Sequence, residues 1–223
     1  MIRNLAPLLF VVWISPTQGA DLSATQVREI LAAATLDKPA ELSGKSLESL
    51  DLSNLDFKRA NLSGANLFGA KLDGADLSGV NLSGAKLDLA WVMRANFTNA
   101  NLSNASLLGL VVSSGLEIST AEAPTFRGTK FAGAHIIARL SSFDLSGADF
   151  STADLRRASL RFANLTGAKL IGANLSGADL SGANLTGADL TDANATDADL
   201  GGAVLTNARG LDTMKGFSPG QRR

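Results

Sequence analysis

From Ala40 onward a large apolar residue returns at every fifth position: Leu42, Leu47, Leu52, Phe57, Leu62 and so on to Val112, and again from Leu140 to Leu205 with Ala195 the one small member. A five-residue period fits neither regular secondary structure. On an α-helix five residues advance a side chain by about 500°, so successive leucines drift by roughly 140° and define no face. Glycines recurring inside such a helix would also cost about 1 kcal/mol each. A flat strand needs strict alternation, whereas here Ala precedes Leu by two positions, as at Ala60, Ala65, Ala70 and Ala75, and apolar sites fall two apart, then three. What remains is a short extended piece with Ala and Leu turned inward, then a turn, repeated. Glycine at the second position after Leu suits that turn. One unit buries nothing alone, but stacked coils bury Leu on Leu and Ala on Ala.

Ala173-Asn174-Leu175-Ser176-Gly177 and Ala178-Asp179-Leu180-Ser181-Gly182 state the unit in full. The sequence resembles the pentapeptide repeat family, whose pattern reads A-(N/D)-L-X-X. That resemblance implies an all-β solenoid: a right-handed four-sided (quadrilateral) β-helix, four units per coil, Leu and Phe at the centre, with short helical caps. About seven coils at the usual strand spacing would give a rod of roughly 35 Å. The family also includes proteins that imitate DNA and bind type II topoisomerases in the cytosol.

The chain divides by pattern. Residues 1–20 read as a signal peptide: Arg3, the apolar run Leu5–Ile14, then small and polar residues with cleavage near Gly19 or Ala20. The run is shorter than the roughly 20 residues a bilayer span needs. Residues 21–39 form an N-terminal cap, in which Ser23 and Gln26 make a capping box and Val27, Ile30, Leu31 and Ala34 share a helical face before Pro39. Residues 40–114 are a first repeat block, 115–137 an irregular stretch, 138–207 a second block and 208–223 a cap and tail carrying Leu211, Met214 and Phe217. Val112 to Phe126 is fourteen residues and Ile136 to Leu140 only four. Either a loop leaves the rod there, or two rods meet at a kink.

The inventory narrows the chemistry. There is no Cys and one His, His135, so no thiol nucleophile and no zinc ligand set can be assembled. A Ser-His-Asp triad would have to use His135, which is expected on the outer surface. No catalytic residue, cofactor or metal is expected. Asp179 below Asp199, with Asp192 and Asp197 near, could attract a cation, but no calcium loop encloses them. Twenty Lys and Arg against 21 Asp and Glu leave a net charge of −1. That excludes the basic excess of a nucleic-acid binder and the strong negative charge of a whole-surface DNA mimic, so no nucleic acid is expected as a partner.

If residues twenty apart stack, the surface can be read in columns. Asn61, Asn81 and Asn101 form one, Asn164 and Asn184 another, and Asp149, Lys169 and Asp189 alternate in sign. Two clusters break the polar pattern. Leu89, Trp91, Leu108 and Val111 make an apolar docking patch, which either the irregular segment or a partner must cover. Arg139, Arg156, Arg157, Arg161 and Phe162, beside Ile137, make an interaction patch at one corner of the second block, since Arg and aromatic residues anchor interfaces. The expected function is a non-catalytic, periplasmic or secreted scaffold with an unknown protein partner and a potential to dimerise through a coil end. The alternative is a topoisomerase-binding DNA mimic, disfavoured by the export signal and the charge.

Overall fold

The computed structural model describes residues 19–112 and 123–217. The apolar run Leu5–Ile14, residues 113–122 and the tail beyond Phe217 lie outside the described residues.

Helix α1 (Ala24–Ala33) opens the described chain. Ser23 Oγ accepts the Gln26 N–H at 3.2 Å while Gln26 Oε1 accepts the Ser23 N–H at 2.8 Å, so two donors of the first turn are satisfied reciprocally. Val27 is fully buried. Four hydrogen bonds tie the cap to the rod: Asp21 N–H donates to the Ser46 carbonyl at 2.8 Å, Ser46 N–H to Asp21 Oδ2 at 2.7 Å, Arg28 to the Asp51 carbonyl at 3.2 Å, and Arg59 to the Ala34 carbonyl at 3.3 Å.

Strand β1 (Ala40–Glu41) pairs in parallel with β2 (Ala60–Asn61), Ala40 opposite Ala60. Later contacts repeat this twenty-residue step as single-residue rungs, such as Ser46–Asn66, Asp51–Lys71 and Asp56–Asp76. Twenty residues at five per unit make four units per coil, so the coil has four sides. The first side carries the outward column Glu41, Asn61, Asn81, Asn101, Lys130, Asp149, Lys169, Asp189, Arg209. The second runs from Ser46 through Ser106, His135 and Asp154 to Lys215. The third holds Asp51, Lys71, Trp91 and Val111, and resumes as Arg139, Ser159, Asp179 and Asp199. The fourth runs from Asp56 through Asn96 and Thr125 and, resuming at Asp144, on to Val204. The first column takes eight steps from Glu41 to Arg209, which makes the rod about 38 Å long, one coil more than the sequence pattern suggested.

Inside, the Leu and Phe positions and most Ala positions are buried in a single continuous core. At each corner the chain turns within four residues, as where Ala65 N–H donates to the Leu62 carbonyl at 3.1 Å. The third residue of that turn is left-handed, as at Gly64 with φ 65°, the geometry that favours Gly or Asn.

The irregular middle does not divide the rod. Asn96 pairs with Thr125, Asn101 with Lys130 and Ser106 with His135. The step there is twenty-nine residues, nine more than elsewhere, and the ladder continues across it. Phe126 stacks on Phe97 at 4.8 Å and Phe131 on Phe150 at 4.7 Å, so large rings fill the core on both sides of the longer step. The next step is nineteen residues, Lys130 to Asp149, because one corner residue is missing between Ile136 and Leu140. The rungs on either side of residues 113–122 belong to one continuous ladder.

The C-terminal end differs from the expected helical cap. Met214 N–H donates to the Gly210 carbonyl at 3.0 Å in one turn, and Lys215 already rejoins the ladder beneath Asn194. Gly210 at φ 72° and Gly216 at φ 76° bound that turn, and no helix continues through residues in this conformation. Met214 is nevertheless buried at the end of the core.

Candidate interaction surface

On most of the surface the outward residues are used by the coil itself. The Asn or Asp before each central Leu accepts from the residue two places on. Asp149 Oδ1 takes the Ser151 N–H at 3.0 Å and its hydroxyl at 2.6 Å, and Asn184 Oδ1 takes those of Thr186 at 3.1 and 2.6 Å. This local closure is why Asn or Asp is followed so often by Ser or Thr. Along the axis the amides form ladders: Asn81 donates to Asn61 and Asn101 to Asn81, each at 3.4 Å. Lys169 stands 3.9 Å from Asp149. The columns expected from the sequence are therefore structural.

The third side and its two corners are different. Among the described residues, five of the eight large apolar side chains that stand exposed lie there: Phe68, Leu89, Trp91, Ile137 and Phe162, with Leu36, Ile171 and Val204 elsewhere. Trp91 sits between Lys71 and Val111 on the side itself. Phe68, Leu89, Leu108 and Ile137 follow one another up the corner between the second and third sides. The expected apolar patch is thus contiguous, and Phe68 and Ile137 extend it.

The Arg patch is assembled differently from the single corner inferred from sequence. Arg156 and Arg157 occupy the corner between the second and third sides, Arg161 and Phe162 the corner between the third and fourth, and Arg139 lies on the third side one coil earlier. The single-corner reading fails on the period itself: Arg156 and Arg161 are one five-residue unit apart, and consecutive units turn at consecutive corners. The five residues therefore flank one side rather than share one corner. Arg156 is committed elsewhere, its Nε and one terminal nitrogen reaching the two Asp154 oxygens at 2.8 and 2.7 Å. That bidentate bond holds the Asp154 carboxyl below the usual carboxylate range, against the opposing effect of its burial. Arg161 lies 5.0 Å from the centre of the Phe162 ring, a cation–π contact. Among the described residues Arg139, Arg157 and Arg161 make no ion pair.

A backbone feature marks the same region. Apart from glycine, left-handed corner positions are held mostly by Asn, Asp and Ser, but also by Leu89 (φ 57°), Arg94 (φ 57°), Thr152 (φ 57°), Arg157 (φ 58°) and Phe162 (φ 56°). Each of these costs about 1–2 kcal/mol relative to a glycine. Four of the five, all but Thr152, stand on the two corners bordering the third side. Leu89, Arg157 and Phe162 each face a glycine one coil on: a Cβ at Gly182 would collide with the Phe162 ring, one at Gly109 would meet Leu89 at 3.0 Å, and one at Gly177 would meet Arg157 at 3.6 Å. Arg94 was missed by sequence reasoning, although its place two residues after Val92 marks it as a corner residue.

One alignment resembles catalytic machinery. Ser106, His135 and Asp154 stack on consecutive coils of the second side, and His135 Nε2 is 3.4 Å from Asp154. The Ser106 hydroxyl, however, donates to Asp88 at 2.6 Å, and Arg156 grips Asp154, so the three do not form a Ser-to-His-to-Asp relay. The carboxylates considered for a cation are also dispersed. Asp179 and Asp199 are rungs of the third side, Asp192 and Asp197 lie on different corners, and among the described residues no group of three acidic or imidazole side chains is placed to hold a metal. Among those residues, no helix is long and apolar enough to cross a membrane.

The architecture defines a class: a parallel β-solenoid of five-residue units that offers side-chain columns rather than a cleft. The chain belongs to the family of pentapeptide repeats, which matches it in eight copies over residues 46–84, 60–99, 75–110, 138–172 and 168–207. Among solved structures it is similar to HetL, a pentapeptide repeat protein involved in heterocyst differentiation regulation from the cyanobacterium Nostoc, at 28% identity over 86% of this chain and 96% of that one, with a TM-score of 0.33. It is also similar to QnrB1, a plasmid-mediated fluoroquinolone resistance protein, at 27% identity over 78% and 84% of the two chains, with a TM-score of 0.47. A pentapeptide repeat protein of the Arabidopsis thaliana thylakoid lumen shares 32% identity over 58% of this chain and 70% of that one, with a TM-score of 0.24. None of the curated proteins is a match.

Proposed function

We propose that this chain is a non-catalytic scaffold, exported from the cytoplasm, that presents the third side of a right-handed four-sided rod to another protein. The observation that carries the reading is the concentration of exposed apolar and arginine side chains on one side and its two corners, while the remaining columns are largely closed amide and hydroxyl ladders. A partner gains contact area where the rod does not satisfy itself. The right-handed winding is the one the family implies, and it agrees with the preference of parallel β connections. Export rests on the sequence of residues 1–20: a basic start, a short apolar run and a small polar end.

Fractionating the native host and sequencing the N-terminus of the recovered protein tests this. An extracytoplasmic product beginning near Ala20 or Asp21 supports it. A full-length cytosolic product overturns export, and makes inhibition of a type II topoisomerase, the DNA-mimic reading, the next assay.

A further inference from the structure

The third side carries more than an unassigned surface: its residues follow an order along the axis. Trp91 and Val111, with Leu89 and Leu108 on the adjoining corner, form an apolar stretch in the third and fourth coils. Arg139, Arg157 and Arg161 follow in the fifth and sixth, and Asp179 and Asp199 in the seventh and eighth. Between the arginines the side itself is low, since Ser159 stands there, its hydroxyl 2.8 Å from that of Ser141 on the adjoining corner. The corners on either hand are raised by Arg157 and Phe162.

Building on the scaffold reading, we propose that this side binds an extended segment of a partner protein whose apolar side chains lie over Trp91 and Val111 and whose carboxylates, about four residues further along, meet Arg139, Arg157 and Arg161. The spacing follows from the rod: three coils from Trp91 to Arg157 span about 14 Å, and an extended chain rises about 3.3 Å per residue. The carboxylates are called for by three guanidiniums that no described acidic residue pairs, one of them already oriented over an aromatic ring. Beyond them Asp179 and Asp199 repel a longer acidic run and favour a basic residue, so the charge order sets which way the segment lies. Large side chains at strained corner positions fit the same account. Glycine would serve the coil better at Arg157 and Phe162, so the fold itself does not call for them.

The protein supplies its own probe. Trp13 and Trp91 are the only tryptophans and there is no tyrosine, so in a full chain carrying Trp13→Phe the emission reports the third side alone. The ligand is a synthetic peptide of about twelve residues with Leu and Phe first, then three Glu, then Lys, made in both chain directions. Its counterpart has Lys in place of Glu. We expect the acidic peptide in one direction to shift Trp91 emission saturably. Affinity should fall at least about tenfold in an Arg157→Glu, Arg161→Glu variant and stay unchanged in Arg127→Glu on another corner. Phe162→Gly should weaken the peptide while raising Tm by about 2–4 °C, an opposition that a purely structural role does not produce.

Equal binding of both peptides, or none of either, overturns the proposal. So does binding of phosphatidylglycerol vesicles without the acidic peptide, which would make the side a membrane-facing surface. Binding that emerges only after residues 113–122 are deleted would overturn it as well, because the chain would then be its own occupant. The two proposals fail separately. A cytosolic protein that binds the peptide loses only its export, and an exported protein that ignores the peptide loses only this partner chemistry.

Discussion

A residue's place in this molecule is set by two neighbours, one in the same unit and one twenty positions away. Phe162 and Gly182 illustrate the second relation. The ring leans over the glycine above it, so Gly182→Ala must displace the ring and also force a left-handed alanine. That substitution should destabilise by about 2 kcal/mol, and Phe162→Gly should recover part of the loss in a double-mutant cycle read by thermal unfolding. In the core, Phe126 contacts Phe97, Phe131 and Phe143 at the twenty-nine-residue step. Phe126→Ala should cost about 3–5 kcal/mol, because rungs on both sides hold the cavity open. The inward and outward sense of nearly every residue was legible in the sequence, since period five fixes it without reference to distant contacts. The grouping of Arg139, Arg156, Arg157, Arg161 and Phe162 on one corner was a miscount, because Arg156 and Arg161 stand in adjacent units of an unbroken block; what the pattern left open was how many units lie between Val112 and Phe126. A fourteen-residue interval does not reveal whether it hides two units or nine residues beyond the ordinary step. The pairing of Arg156 with Asp154 was readable in principle, being the same two-residue relation that Ser and Thr use throughout.

At the scale of elements, the unit is held by its own carboxylate or amide, and that makes it sensitive to acid. The Ser181 hydroxyl bonded to Asp179, the Thr191 hydroxyl bonded to Asp189 and the Arg156 guanidinium bonded to Asp154 each hold the carboxyl below its ordinary value. A carboxylate with a depressed folded-state pKa stabilises the fold above its unfolded value of about 3.9, and that contribution is lost as pH falls through the lower folded value. Tm should therefore be flat near neutrality and fall once pH drops below about 4, and Asp154→Asn should blunt the fall. At the N-terminal end, α1 covers the first coil through Val27 and its capping box. Ser23→Ala should cost about 1 kcal/mol and raise amide exchange in the first coil before the middle ones. The helix was readable because capping and periodicity are local signals. The C-terminal turn was misjudged because Leu211, Met214 and Phe217 carry helical spacing, while the glycines at 210 and 216 that stop a helix lie at its edges.

For the whole molecule, stability is a sum over coils and the contacts between neighbours. Removing one coil's worth of chain, residues 166–185, leaves every side in register, and the shortened rod should unfold cooperatively at a modestly lower temperature. Removing ten residues from the same place, 166–175, carries the third side's column onto the first, and this variant should lose the cooperative transition seen by circular dichroism. The contrast tests whether the coil of four units, rather than the single unit, is the module of folding.

The ladder hydrogen bonds lie along the rod, joining each coil to the next, as where Leu62 N–H meets the Asn81 carbonyl at 2.8 Å. A pull on the two ends therefore acts in line with those bonds and opens them a coil at a time instead of shearing a whole sheet at once. Each coil that peels away releases twenty residues, about 65 Å of extended chain, in exchange for about 5 Å of rod. Under tension the protein should pay out slack in even increments, a ratchet of extension whose step length is written in its repeat.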